Sequence, residues 1–311
     1  MANTLAIRRR IKSVKNTRQI TKAMEMVSAT KMRRAQAQAL KTRTYSQLAW
    51  QIVRSLSGKV DPRLHKLLLA PEKIKNQAVI LLTSSRGLAG SFNSQVISRA
   101  LDYIRDSEQE HRSVKTEIIA AGRKGAEAMH KAGMNVVADF KRADVNLKIE
   151  EILPLAALVV QKFVAGEYDR VLLVYSDFIS TITQKPKIMQ LLPFPKLTKI
   201  LAHTESTGLG EVGMKEQMEK MGLEENFEYL FEPQADLVLE RLIPRILEMQ
   251  IYQAGLESNA SEQSARMVAM KNATDAALDI ISDLTLEYNK IRQEAITKEI
   301  AEISAGRLAV S

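Results

Sequence analysis

Ala78-Val79-Ile80-Leu81-Leu82-Thr83 runs directly into Ser84-Ser85-Arg86-Gly87-Leu88-Ala89-Gly90 and then into an amphipathic segment. A short apolar run, a glycine-punctuated turn and a helical period read as strand, turn and helix. Further strand candidates follow at Glu117 to Ala121, Asn135 to Phe140 and Arg170 to Phe178, with helical patterns near Lys124 to Ala132 and Glu151 to Ala165 between them. Strands alternating with helices predict a small α/β domain around a largely parallel sheet, spanning residues 75–195. A last extended run, Ile188 to Leu192, closes it before Pro193 and Pro195.

Outward from this centre, glycine and proline thin out. Neither occurs before Gly58, and between Arg245 and Ala305 only Gly255 appears. Both ends of the chain therefore permit helices of about 55 to 60 residues, roughly 80 to 90 Å long. Helices of that length need a partner for their apolar stripe. In the C-terminal segment, residues 236–305, Met270, Ala273, Ala277, Ile281, Leu284, Tyr288, Ile291 and Ala295 recur at steps of three and four. Ile296, Ile300 and Ile303 continue in a shifted register, which is a coiled-coil seam with a slip. In residues 1–57 the triplets Ile7, Ile11, Val14, then Ile20, Met24, Val27, then Met32, Ala35, Ala39 are separated by irregular steps, which predicts a seam broken by stutters. The two ends are expected to pair as antiparallel helices, with Pro244 starting a new segment or kinking the second. Residues 196–226, with Gly208, Gly210, Gly213 and Gly222, read as a mobile excursion between the α/β domain and the last helix.

Composition excludes several chemistries. The 311-residue chain has no cysteine, so disulfides, thiolate metal sites and thiol nucleophiles are ruled out. His65, His111, His130 and His203 are too scattered for a histidine metal cage, and no metal or cofactor is expected. No uninterrupted apolar run approaches 18 residues, so no bilayer span is expected. The net charge of +9 sits at one end: residues 1–43 hold twelve Lys/Arg and one acid, Glu25, whereas residues 257–311 hold nine acids and six bases. A basic first helix and an acidic last helix suit one another electrostatically. A transit peptide also fits the basic start, but the helical pattern continues past Trp50 without a small-residue cleavage region.

Local motifs carry little chemistry. Gly208-Leu209-Gly210-Glu211-Val212-Gly213 fits G-x-G-x-x-G, yet the residues before it are not a buried strand and Glu211 would repel a pyrophosphate. The turn Ser84 to Gly90 could bind an anion on backbone N–H groups. A close approach of backbone segments explains its glycines as well. No Ser/His/Asp grouping or carboxylate pair marks an active site, and no catalytic residue is assigned.

The basic first helix has three readings. A nucleic-acid surface wants one basic face with aromatics, but the first aromatic is Tyr45. A membrane-surface helix wants bulky apolar residues, but Ala and Met dominate from Ala23 to Ala39. A rod touching acidic loops of a protein partner wants charge all around a narrow seam, and this fits best. A basic adaptor for nucleic acid or membrane is the alternative; a nucleotide-binding α/β enzyme, needing a ligand site at the sheet's C-terminal edge, is a third.

The stretch Ile11-Lys12-Ser13-Val14-Lys15-Asn16-Thr17-Arg18-Gln19-Ile20-Thr21-Lys22-Ala23-Met24-Glu25-Met26-Val27-Ser28-Ala29 closely resembles the opening helix of gamma subunits of F-type ATP synthases. Ala260-Ser261-Glu262-Gln263-Ser264-Ala265-Arg266-Met267, Met270 to Asp275, Tyr288 to Gln293 and Ile296 to Ile303 resemble its closing helix. Ser85 to Gly90 with Asn93 is similar to the family's first βα turn, where an acid usually stands in place of Ser85. Gly306-Arg307-Leu308-Ala309 also departs from the usual small residue after the glycine.

The resemblance implies an antiparallel coiled coil of the terminal helices with a central Rossmann-like α/β domain, acting as a rotor shaft without a catalytic site of its own. It implies alpha and beta subunits in a ring around the rod, and an epsilon subunit and membrane c-ring at the foot, on the cytoplasmic face of a bacterial inner membrane. No nucleic acid and no direct membrane insertion are implied. Arg8, Arg9, Arg10, Lys22, Met24, Arg33, Arg34, Arg266 and Arg292 are the candidate ring contacts. Glu228, Tyr229, Phe231 and Glu232 are the candidates facing the c-ring and epsilon. The 196–226 excursion falls where photosynthetic relatives carry a regulatory insertion, and without cysteine a dithiol switch is impossible.

Overall fold

The computed structural model describes residues 2–57, 66–69, 71, 73–110, 114–142, 147–194 and 235–310. The 196–226 segment, its glycine motif and the four candidate foot residues lie outside the described residues. The chain divides into two compact units: Met1–Ser28 with Arg266–Ser311, the terminal unit, and Ala29–Ala265, the central unit.

In the central unit the first three strands are each followed by a helix, and the fourth is followed by a strand. In order they are β1 (Asn76–Leu82), α2 (Phe92–Glu110), β2 (Lys115–Ala121), α3 (Arg123–Lys131), β3 (Asn135–Phe140), α4 (Ile149–Val164), β4 (Arg170–Phe178) and β5 (Gln184–Leu192), flanked by α1 (Ala2–Ser57) and α5 (Ala235–Val310). The sheet order is β3-β2-β1-β4-β5. The first four strands are mutually parallel where they pair, and β5 runs antiparallel to β4. The inner strands β1 and β4 are buried almost throughout, which is why they read as unbroken apolar runs. β5 begins four residues before the expected Ile188: the polar stretch Gln184 to Lys187 pairs with β4 at the sheet's edge, where Pro186 is tolerated.

Alternation along the strands supplies two core faces. Val79, Leu81, Ile118, Leu172 and Val174 meet Val96, Ala100 and Ile104 of α2 and Met129 of α3. Ala78, Ile80, Leu82, Ile119 and Leu173 meet Ile152, Leu155 and Val159 of α4 and Ile243, Leu247, Ile251 and Ala254 of α5. α5 runs as one helix through Pro244, so no new segment starts there. The ring removes one backbone hydrogen bond, while buried Ile243, Ile246 and Leu247 hold that stretch of helix against the core.

In the terminal unit the seam is more regular, and more polar, than the apolar residues suggest. On α1, Ile7 and Ser28 are buried and Ile11, Val14, Thr21, Met24 and Glu25 half-buried, whereas Ile20 and Val27 are 61% and 53% exposed. The 3-4 spacing continues through Thr21, Glu25 and Ser28, so the expected stutters are absent. Met32, Ala35 and Ala39 keep that spacing within the central unit. On α5, Met270, Thr274, Ala277 and Leu284 are buried, with Ile281, Tyr288 and Ile291 half-buried; Thr274 takes the position expected of Ala273. Thr21 Oγ1 meets Thr274 Oγ1 at 2.8 Å, and Thr274 Oγ1 also lies 2.8 Å from the Met270 carbonyl. In the central unit Thr42 Oγ1 donates to Gln253 Oε1 at 2.7 Å. Partner numbers on α5 rise as those on α1 fall, which is the antiparallel sense. No described helix is long and apolar enough to cross a membrane.

Candidate functional site: a charged helix surface and a helix dock at the sheet edge

In the terminal unit, Arg8, Arg9 and Arg10 are all exposed. Consecutive helical residues point about 100° apart, so the three spread charge around α1 and form no single basic stripe. Lys22 is exposed and paired with Glu25 at 3.0 Å, Met24 is half-buried, and Arg292 is exposed. Large apolar side chains share this solvent face: Ile20, Met26 and Val27 on α1, Leu286 and Ile300 on α5. Arg33 and Arg34, in the central unit, are likewise exposed. Arg266 differs from the rest: it is only 8% exposed, and its guanidinium is taken up by the chain's own packing.

The second element of interest is the C-terminal edge of the parallel sheet. Strand order reverses between β1 and β4, and in open α/β sheets the crevice at such a switch point is where ligands bind. Here the chain fills that edge itself. Ser261 Oγ of α5 donates to the Ser176 carbonyl of β4 at 3.1 Å, and Ser264 Oγ donates to the Thr181 carbonyl beyond it. The N–H groups opening α3 are engaged too, Lys124 N donating to the Ser84 carbonyl at 3.1 Å and Gly125 N to Thr83 Oγ1 at 2.9 Å. Ser84 N donates to Asn93 Oδ1 at 3.0 Å, closing the first βα turn on itself. An anion approaching this edge finds these three N–H donors occupied.

At Gly87 the expected close approach is absent. A Cβ at Gly87 would meet nothing within 4 Å; Gly90 and the exposed Leu88 instead hold left-handed backbone, with φ of 54° and 62°. The close approach occurs at Gly122, with φ 118°, where a Cβ would lie 2.2 Å from the Thr83 carbonyl oxygen.

Arg142, which sequence reasoning missed, lies beneath this turn and is buried. Its Nη1 donates to the Thr83 carbonyl at 3.0 Å and to Ser258 Oγ at 3.2 Å; its Nη2 donates to the Gly255 carbonyl at 3.2 Å and to Asn259 Oδ1. The legible signal was the run of small polar residues Ser258, Asn259, Ser261 and Ser264 following a lone glycine inside a long helix. Beside it, Gln253 Nε2 donates to the buried Glu257 carboxylate at 3.0 Å. Burial, followed by the Glu257 and Asp177 carboxylates, pushes the Tyr175 hydroxyl well above its ordinary pKa.

Comparison with known proteins agrees with this architecture. Residues 3–310 match the family model described as ATP synthase. The ATP synthase gamma chain of Roseiflexus castenholzii is 42% identical over 312 residues, covering 100% of this chain and 99% of the relative. That of Chloroflexus aurantiacus is 41% identical and covers 100% of both. Among solved structures, a chain of the Euglena gracilis mitochondrial ATP synthase OSCP/F1/c-ring assembly in rotational state 3 has a TM-score of 0.63 at 22% identity, covering 99% of this chain and 95% of that one. At that identity the structural likeness speaks to the fold, and full-length identity to the gamma chains speaks to kinship. The chain belongs to the gamma-chain family of ATP synthases.

Proposed function

We propose that this chain is the central rotor shaft of an F-type ATP synthase, coupling rotation of a proton-driven c-ring to conformational change in a ring of alpha and beta subunits. The observation that carries the reading, beside the family, is the terminal unit: two helices joined by a narrow polar seam, with cations and large apolar side chains left facing outward. A surface of that kind suits enclosure by a protein sleeve. A nucleic-acid stripe would gather its cations on one side.

The mechanism needs asymmetry and stiffness, and no chemistry in the shaft. Different faces of an asymmetric helical pair meet each catalytic subunit, and each face stabilises a different conformation there; rotation moves those preferences around the ring. One charge crossing 100 mV supplies about 2.3 kcal/mol, so several crossings are summed mechanically for each ATP released. The chain contributes no catalytic group of its own and binds no cofactor. It sits at the cytoplasmic face of a bacterial inner membrane, held by its partners and not by a span.

Arg8, Arg9, Arg10, Lys22, Met24, Arg33, Arg34 and Arg292 are the proposed ring-facing residues, and Arg266 leaves that set because it is buried. Glu228, Tyr229, Phe231 and Glu232 are proposed to face the c-ring and epsilon. The test is to isolate the tagged chain from membranes and identify what accompanies it. Alpha, beta and epsilon subunits with ATP-driven proton pumping support the reading; recovery of the chain alone, or with nucleic acid, refutes it. Cross-links from Glu228 or Glu232 that reach only alpha and beta subunits would refute the assignment of the foot.

A further inference from the structure

The geometry points to Arg142 as the positioning residue that keys α5 to the sheet against rotation about the helix axis, so that torque passes between helix and sheet without slip. The inference deepens the rotor reading and rests on it.

The apolar contacts between α5 and the sheet hold the two together but are non-directional, so they resist separation more than sliding. Hydrogen bonds depend on angle and distance, and resist sliding. Gly255, Ser258 and Asn259 stand at i, i+3 and i+4, one face of α5, and all three accept from the Arg142 guanidinium. The same side chain donates to the Thr83 carbonyl at the end of β1. One rigid, planar group therefore bridges strand and helix, and turning α5 by one residue, about 100°, would break all three helix-side bonds together.

Gly255 leaves room at this contact. A Cβ there would come 2.5 Å from Leu147 Cδ2, so a larger residue would have to displace the tip of the Leu147 side chain. Ser261 adds one neutral bond to the same edge, and Ser264 adds one to the Thr181 carbonyl and a long one, 3.5 Å, from Gln184 Nε2. Arg142 adds a buried charge with several acceptors, and hydrogen bonds to a charged group are the stronger kind.

The experiment uses the assembled complex in membrane vesicles, measuring ATP hydrolysis and protons pumped per ATP as the opposing proton gradient is raised. For Arg142→Ala we expect hydrolysis without load to stay within about twofold, while protons per ATP under load fall about threefold or more. Arg142→Lys should shift the same way, because an ammonium lacks the planar fork. Asn259→Asp should keep the wild-type ratio, since a carboxylate still accepts.

A wild-type ratio in Arg142→Ala overturns the inference. So does a loss in which hydrolysis and pumping fall together at constant ratio, which marks a merely structural role. If Arg142→Ala does not assemble, the double variant Ser258→Ala with Asn259→Ala decides, because it keeps both carbonyl acceptors: a lowered ratio supports the key and an unchanged one overturns it. Failure of the rotor reading would look different, since the wild-type chain itself would then lack alpha and beta subunits.

Discussion

The two units of this chain solve the burial problem in opposite ways. In the central unit, β1 and β4 are covered on both faces and large aliphatic side chains such as Ile80 and Leu173 are 0% exposed. In the terminal unit, α1 and α5 meet through Thr21, Ser28 and Thr274 as much as through Ile7 and Leu284, while Ile20, Leu286 and Ile300 face outward. The first unit is stabilised by what the chain buries within itself. The second keeps apolar surface for something else to cover.

The sharpest test of that contrast is a core truncation. Leu173→Ala should cost about 2–5 kcal/mol, seen as a lowered urea midpoint of the purified chain by circular dichroism; a cost below about 1 kcal/mol would mean the central core is loosely packed. Gly122→Ala should cost at least about 1–3 kcal/mol, because the residue must hold φ 118° and its Cβ would overlap the Thr83 carbonyl. In the terminal unit the expected effects shrink. Thr21→Val or Thr274→Val alone should cost no more than about 1 kcal/mol, since the remaining hydroxyl keeps its own helix carbonyl, that of Arg18 or Met270, and the pair together should cost less than the sum. Strictly additive costs in the double-mutant cycle would show that the two hydroxyls are not coupled.

Arg8→Ala, Arg9→Ala and Arg10→Ala should each leave the stability of the free chain within about 0.5 kcal/mol. In the assembled complex their effects should be modest and weaken with added salt, because exposed pairs contribute about 0–1 kcal/mol. Tyr168→Phe removes the hydrogen bond to the Glu117 carboxylate and should cost about 1 kcal/mol at neutral pH, an effect that shrinks in alkali. Burial and the hydrogen bond to Glu117 push the Tyr168 hydroxyl from 10.0 up to about 12. The unfolded chain therefore loses its proton first. Stability from this group is intact below pH 10 and declines as pH rises towards 12. Tyr168→Phe should remove part of that decline in pH-dependent urea unfolding; an unaltered decline would assign it elsewhere, for example to Tyr175.

Sequence made the apolar half of the architecture legible and hid the polar half. The strands Asn135–Phe140 and Arg170–Phe178 stand where the pattern put them, because buried runs and alternation are written in side-chain chemistry. The seam of α1 was misread because Thr21 and Ser28 are polar, and only the facing helix shows that they are covered. Arg142 was invisible for a related reason. An arginine after a strand looks like any solvated loop cation until α5, more than 110 residues later, brings Gly255, Ser258 and Asn259 around it. Ring and foot contacts were suggested by family resemblance, and burial then separated Arg266 from the other cations.

The polar seam of α1 also bears on how the chain is made. Thr21 leaves the ribosome 253 residues before its partner Thr274. At about 5–20 residues per second, α1 waits about 13 to 50 s for the helix that will cover it. An uninterrupted Leu and Ile stripe displayed for that long would invite neighbouring nascent chains and chaperones. Threonine, glutamate and serine at the middle of the stripe, with arginines and lysines around them, let the first helix wait in water without aggregating and still recognise its partner when it arrives.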